Sequence, residues 1–163
     1  MKRATPLILL AAVLTLAAAP AARAQKAPKF QASAVQVLFV ESTEVRLPPE
    51  FQVALYENLV EEVKKTARFQ KVFRDGDREA DGVKDAVVLR STVHGFKEGS
   101  AMARQVTTVA GATKITVRVQ ITTRDGRLIV DRDVEGSVRF FGENLRATYD
   151  FAKDVGKLIR QTF

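Results

Sequence analysis

The chain contains no cysteine and one histidine, His94, in 163 residues. Without cysteine there are no disulfides, no thiolate nucleophile and no Cys-based metal site. The lipid attachment of a bacterial lipoprotein, which needs a Cys at its cleavage site, is excluded as well. A single His leaves no zinc site built on several His or Cys. Phosphate-cradling Gly-x-x-x-x-Gly-Lys and dinucleotide fingerprints are missing. No Ser stands in a Gly-x-Ser-x-Gly elbow that could be paired with His94. No cofactor and no metal are therefore expected, and a hydrolase resting on His94 and scattered carboxylates is the weakest of three functional readings.

Long apolar runs are also scarce. The only one, Leu7–Ala19, is shorter than the ~20 residues a membrane span needs. Met1-Lys2-Arg3 carries positive charge before it, and Ala22-Arg23-Ala24 places small residues ahead of Gln25. That layout reads as a secretory signal peptide over residues 1–24. The expected mature chain is periplasmic or secreted, with no transmembrane segment. Removing Lys2, Arg3 and Arg23 leaves 23 basic residues against 19 acidic, a net of +4 instead of +7. The charges are interspersed along the chain, as on a solubilising surface. No aromatic-rich basic strand points to nucleic acid.

Gln25–Ser33 reads as a flexible lead-in, and residues 34–163 as a single domain. Ala34–Val40 is an apolar, β-branched run expected to be a central strand. Pro48-Pro49-Glu50 opens a helix running to about Thr66. Its stripe is Phe51, Leu55, Leu59 and Val63. Phe69–Arg74 follows as a short strand, making a parallel crossover. Asp75–Lys84 is expected to be an acidic, solvated turn, and Ala86–Phe96 a strand interrupted at Gly95.

The clearest element is Lys114–Ile121, which alternates strictly before Asp125-Gly126. A two-residue turn there would set Ile121 opposite Val130 and Val117 opposite Val134. Arg118 would then meet Asp133, and Gln120 would meet Asp131. Arg132 would fall on the apolar face opposite Val119, at a bulge or reaching past the helices. Asn144 is the expected N-cap of a last helix to about Gln161, with Leu145, Tyr149, Ala152 and Ile159 inward. Gly156 within it suggests close approach to the sheet. The fold class is α+β: a two-layer α/β sandwich with a mixed five-stranded sheet and two helices on one face.

The segment Lys97–Gly111 is long for a hairpin connection and rich in small residues. Two readings stand side by side. It is a contact loop, or both strands extend into it with Val106–Val109 paired. Its candidate contact residues are Lys97, Met102, Arg104 and Gln105, with Arg132 added from the apolar face. An envelope protein partner is the leading expectation. An anionic lipid or small ligand held between sheet and helices, suggested by Arg132 and the positive charge, is the alternative.

The run from Gly95 to Arg104, Asp125-Gly-Arg-Leu and Ala152-Lys-Asp-Val resemble a bacterial exported domain-of-unknown-function family over residues 34–163. More distantly, the element order is similar to the N-terminal domain of the Tol-system periplasmic protein and to the α/β domain of the curli secretion lipoprotein. These resemblances imply a periplasmic α/β scaffold for envelope assembly or interaction, and imply no catalytic residues.

Overall fold

The structure is a computed structural model that describes residues 29–100, 111–138 and 144–163. The strands are β1 (Ala34–Val37), β2 (Lys71–Phe73), β3 (Ala86–Lys97), β4 (Thr113–Thr123) and β5 (Leu128–Val138). The helices are α1 (Pro49–Lys65) and α2 (Arg146–Thr162), with a 3-10 turn at Arg78–Gly82. The sheet runs β2-β1-β3-β4-β5. β1 lies parallel to both β2 and β3, while β4 and β5 continue antiparallel. This is the expected mixed five-stranded α+β sandwich, with β1 central. No described helix is long and apolar enough to cross a membrane.

The core forms where α1 and α2 cover one sheet face. Val35, Val37, Leu89, Val93, Ile115, Val117, Val119 and Ile121 point up from the strands, and alternation places them on one side. Leu55, Leu59 and Val63 of α1 meet them, with Phe151, Val155 and Ile159 of α2. The stripe of α2 is phased differently from expectation. Phe151 is fully buried, whereas Tyr149 is 43% exposed beside Lys153. Phe151 lies four residues from both Ala147 and Val155, which are also buried, so it continues the inward stripe, whereas Tyr149 stands about 200° around the helix from it.

Gly156 also faces an unexpected neighbour. A β-carbon there would lie 2.9 Å from Glu62 Cγ, so the close approach is to α1 and not to the sheet. The close approach to the sheet belongs to Gly136 of β5, where a β-carbon would fall 2.1 Å from the Ala147 carbonyl oxygen.

Within the core, Ser91 Oγ is fully buried and has no hydrogen-bond partner among the described residues. A buried hydroxyl without a partner loses its hydration for nothing. Ser91→Ala is therefore expected to raise stability by up to about 1 kcal/mol, read from the denaturant midpoint.

The opposite sheet face is only partly solvated. The Asp75–Lys84 segment, expected to be a solvated turn, folds one 3-10 turn over it. Asp77 caps this turn, accepting from the Glu79 amide at 3.1 Å. Ala80 packs with Ala34, Phe73 and Ala86 as a second small apolar cluster. Arg124 fastens the lid by donating to the carbonyls of Ala80 and Val83, the latter at 3.1 Å. The end of the lead-in is likewise docked: the Phe30 amide donates to the Thr162 carbonyl at 2.8 Å, and Ser33 Oγ to Asp85 at 2.6 Å.

The β4–β5 register matches the alternation, pairing Ile121 with Val130 and Val117 with Val134. The turn differs from the expected two-residue form. The Thr123 amide donates to the Arg127 carbonyl at 2.9 Å, leaving Arg124, Asp125 and Gly126 as the loop. Gly126 takes φ 86°, a left-handed conformation natural to glycine. An irregularity between Ile121 and Thr122 restores the register. Freed from the ladder, Arg124 can reach the 3-10 turn.

Candidate functional site

The long connection leaves and re-enters the sheet at the C-terminal end of β3 and the start of β4. Its two feet are tied tightly. The Gly99 amide donates to Thr113 Oγ1 at 3.0 Å, and that hydroxyl donates to Asn144 Oδ1 at 2.8 Å. Asn144 Nδ2 donates back to the Gly99 carbonyl at 3.1 Å and to Glu98 Oε1 at 3.2 Å. Thr113 is fully buried. Asn144 therefore joins the feet of the connection to the entry of α2. It is not the N-cap: that position is Leu145, with no side-chain cap. A side-chain amide has two donors and an acceptor, enough to serve three backbone or side-chain partners at once.

Glycine at 99 is a steric requirement. A β-carbon would lie 2.0 Å from the Gly111 carbonyl oxygen and 2.6 Å from the Thr113 nitrogen. The small residues read from the sequence at this end thus include one whose role is to bring the two feet together.

Lys97 ends β3 directly opposite Lys114. Like charges side by side are unfavourable, and Glu135 of β5 takes the Lys114 ammonium at 2.6 Å. Lys97 stays exposed on the open face. Met102, Arg104 and Gln105 lie outside the described residues.

Arg132 sits opposite Val119, on the helix-facing side of β5, as the alternation requires. No bulge interrupts the ladder at that point. It is exposed because β5 is the sheet edge. It borders a groove of ≈ 440 Å³ between β5 and the end of α2, with Val130, Leu158 and Gln161. No ion pair holds it among the described residues. Lys97 and Arg132 stand on opposite faces of the sheet, so the structure does not gather them into one site.

The open face carries a charge ladder across β3, β4 and β5. Arg118 grips Asp131 with two bonds, at 2.5 and 2.7 Å, and approaches Asp133 at 3.6 Å. Register set Arg118 opposite Asp133, but its long side chain reaches diagonally. His94 Nε2 lies 3.1 Å from Asp133 Oδ1. This His occupies a bulge where the β3–β4 register shifts between Val93 and Gly95. The bulge turns both His94 and Gly95 toward the open side.

The Asp131 carboxyl is held below its ordinary range, chiefly by hydrogen bonding to Arg118 and further by that guanidinium's charge. A depressed carboxyl stabilises the fold above its unfolded titration and loses that contribution as pH falls through the folded value. Arg118→Gln is expected to move the Asp131 titration upward, toward an ordinary aspartate. Carboxyl-carbon NMR checks this, and an unmoved titration would contradict the assigned cause.

No family model matches the chain, and no curated protein matches it. Among solved structures, the chain has the fold of a class of two-layer α+β sandwiches. One is PelC from Paraburkholderia phytofirmans, solved as a dodecamer, at TM-score 0.60 and 11% identity. The match covers 83% of this chain and 92% of that one. CT253 of Chlamydia trachomatis matches at TM-score 0.53 and 9% identity, covering 78% of this chain and 93% of that one. At such identities the likeness establishes shared fold alone.

Proposed function

We propose that this chain is an exported, non-catalytic envelope protein that binds another macromolecule and acts as an interaction or assembly module. The observation that carries this reading is the anchoring of the Lys97–Gly111 connection. A buried Thr, an Asn and a sterically required Gly are committed to fixing its feet at one end of the sheet. A rigid scaffold presenting a long connection is the usual arrangement for recognition.

The ladder around His94 supports the non-catalytic reading. The described partner of His94 is Asp133, on the open face of the sheet, and no described hydroxyl is bonded to the ring. A triad needs a nucleophile within hydrogen-bond reach of the His.

The test replaces residues 101–110 by Asn-Gly, which suits a tight turn. Both proteins are crosslinked in intact cells and recovered. Partner recovery is expected to fall at least tenfold while the melting temperature stays within a few degrees. Equal recovery from the folded variant would overturn the proposal. Sedimentation of the same samples separates capture of a different protein from self-assembly, the state in which PelC was solved.

A further inference from the structure

We infer that the free edge of β5 is a second interaction surface, which accepts an extended segment of a partner protein carrying cationic side chains at alternate positions. This deepens the interaction-module reading and rests on it.

The sheet has two edges of unequal quality. β2 is three residues long, too short to template much pairing, whereas β5 runs for 11. The Ser137 amide donates to Asp150 Oδ2 at 3.3 Å, so it points away from β4. Amide direction alternates along an antiparallel strand. The amides of Asp131, Asp133 and Glu135 therefore point outward too, and no described residue supplies them with an acceptor. Asp150 covers only the upper end of this edge. Three consecutive outward N–H groups with their carbonyls are the backbone requirement for adding a strand.

The side chains select the partner. Asp131, Asp133 and Glu135 stand in one row along the open face of the edge. Arg118 and Lys114 hold them from the β4 side, and among the described residues no cation pairs with the row from its outer side. A second copy of β5 is a poor occupant. In antiparallel registers centred on Arg132, Asp133 or Val134, one of these carboxylates always faces another, and like charges directly opposite are destabilising. A strand with Lys or Arg at every second position places cations beside that row instead. Its intervening side chains would lie over Val134 and the groove bordered by Arg132, Leu158, Gln161 and Thr162, a mixed lining that leaves the cationic positions to select the partner. Arg132, a charge on the inward side of an edge strand, discourages indiscriminate sheet-to-sheet pairing.

The probe is a capped heptapeptide with Lys at odd positions and Val between them, titrated at low salt into the full chain and followed by amide NMR. Shifts and slowed hydrogen exchange are expected at Asp131, Asp133 and Glu135, weakening as salt screens the charges. A peptide with Glu replacing Lys should bind at least tenfold more weakly. So should the Lys peptide N-methylated on its edge-facing amides, and so should the wild-type peptide against an Asp131→Asn, Asp133→Asn, Glu135→Gln variant. Those three substitutions are on exposed or half-buried positions, and the variant's melting curve verifies its fold. Equal binding of the Glu peptide or of the N-methylated peptide would overturn the inference. So would unperturbed β5 amides at millimolar peptide. Because this assay leaves residues 101–110 intact, its failure is separable from failure of the connection as a recognition element.

Discussion

Gly136→Ala is expected to destabilise the domain by about 3 kcal/mol, lowering the melting temperature by roughly 10 °C. The added methyl would stand 2.1 Å from the Ala147 carbonyl oxygen, 2.8 Å from Phe151 Cβ and 2.9 Å from the Phe151 nitrogen. Two of these three atoms are backbone, and the third is a β-carbon. No rotamer change relieves the overlap, so α2 must lift from β5 as a unit. That lifting would separate Phe151, the largest fully buried side chain among the described residues, from the sheet. Truncating Phe151 to Leu therefore should not rescue the variant, since the Cβ and both backbone atoms remain. Gly126→Ala is the informative comparison. Nothing lies within 4 Å of a β-carbon there, and its cost is only that of a side chain at φ 86°, about 1 kcal/mol. Thermal melts of the two variants should differ clearly; equal losses would contradict the packing at Gly136.

Gly99→Ala is expected to act more locally and to reach function. Its β-carbon would overlap the Gly111 carbonyl oxygen at 2.0 Å and the Ala112 carbonyl carbon at 2.5 Å. At the sheet's end the strands can splay, so the global cost should be about 1–2 kcal/mol, below that at Gly136. The splaying would break the bond that the Gly99 amide donates to the buried Thr113 hydroxyl. Hydrogen exchange should accelerate at Gly99 and Thr113 while amides in the centre of β4 stay protected. If the connection is the recognition element, partner recovery should fall several-fold without global unfolding. Normal recovery with accelerated exchange would mean that the anchoring serves stability alone.

Much of the fold was legible because short-range rules agreed with one another. Strict alternation in β4, charges on its alternate positions and Asp125-Gly126 all demanded one register, and Ile121–Val130 and Val117–Val134 are its result. Arg132 was readable as the residue out of pattern because the pattern around it was regular. The phase of α2 was less legible. Tyr149 and Phe151 both satisfy a helical period, and which of them points inward depends on how the helix is rotated against the sheet. The role of Asn144 was hidden for a related reason. Its position before a helix suited capping, but Thr113 and Gly99, far off in sequence, offered it better bonds.

The candidate site was legible only in outline. Composition singled out Lys97–Gly111, yet nothing in it indicated that Gly99 and Thr113 would be clamped through Asn144. The β5 edge carried no local signal at all, since a strand's sequence does not say whether both of its sides are paired.

The sequence by itself determined which residues alternate, which recur at helical spacing and where the chain turns, because these depend on neighbours a few positions away. It thereby determined five strands, two helices and the β4–β5 register. Tertiary structure alone decided the rest: that Gly136 underlies α2 and Gly156 underlies Glu62, that Arg124 clasps the 3-10 turn, and that β5 ends the sheet. Each of these is a contact between segments distant in the chain, set by how two layers pack and not by any local preference.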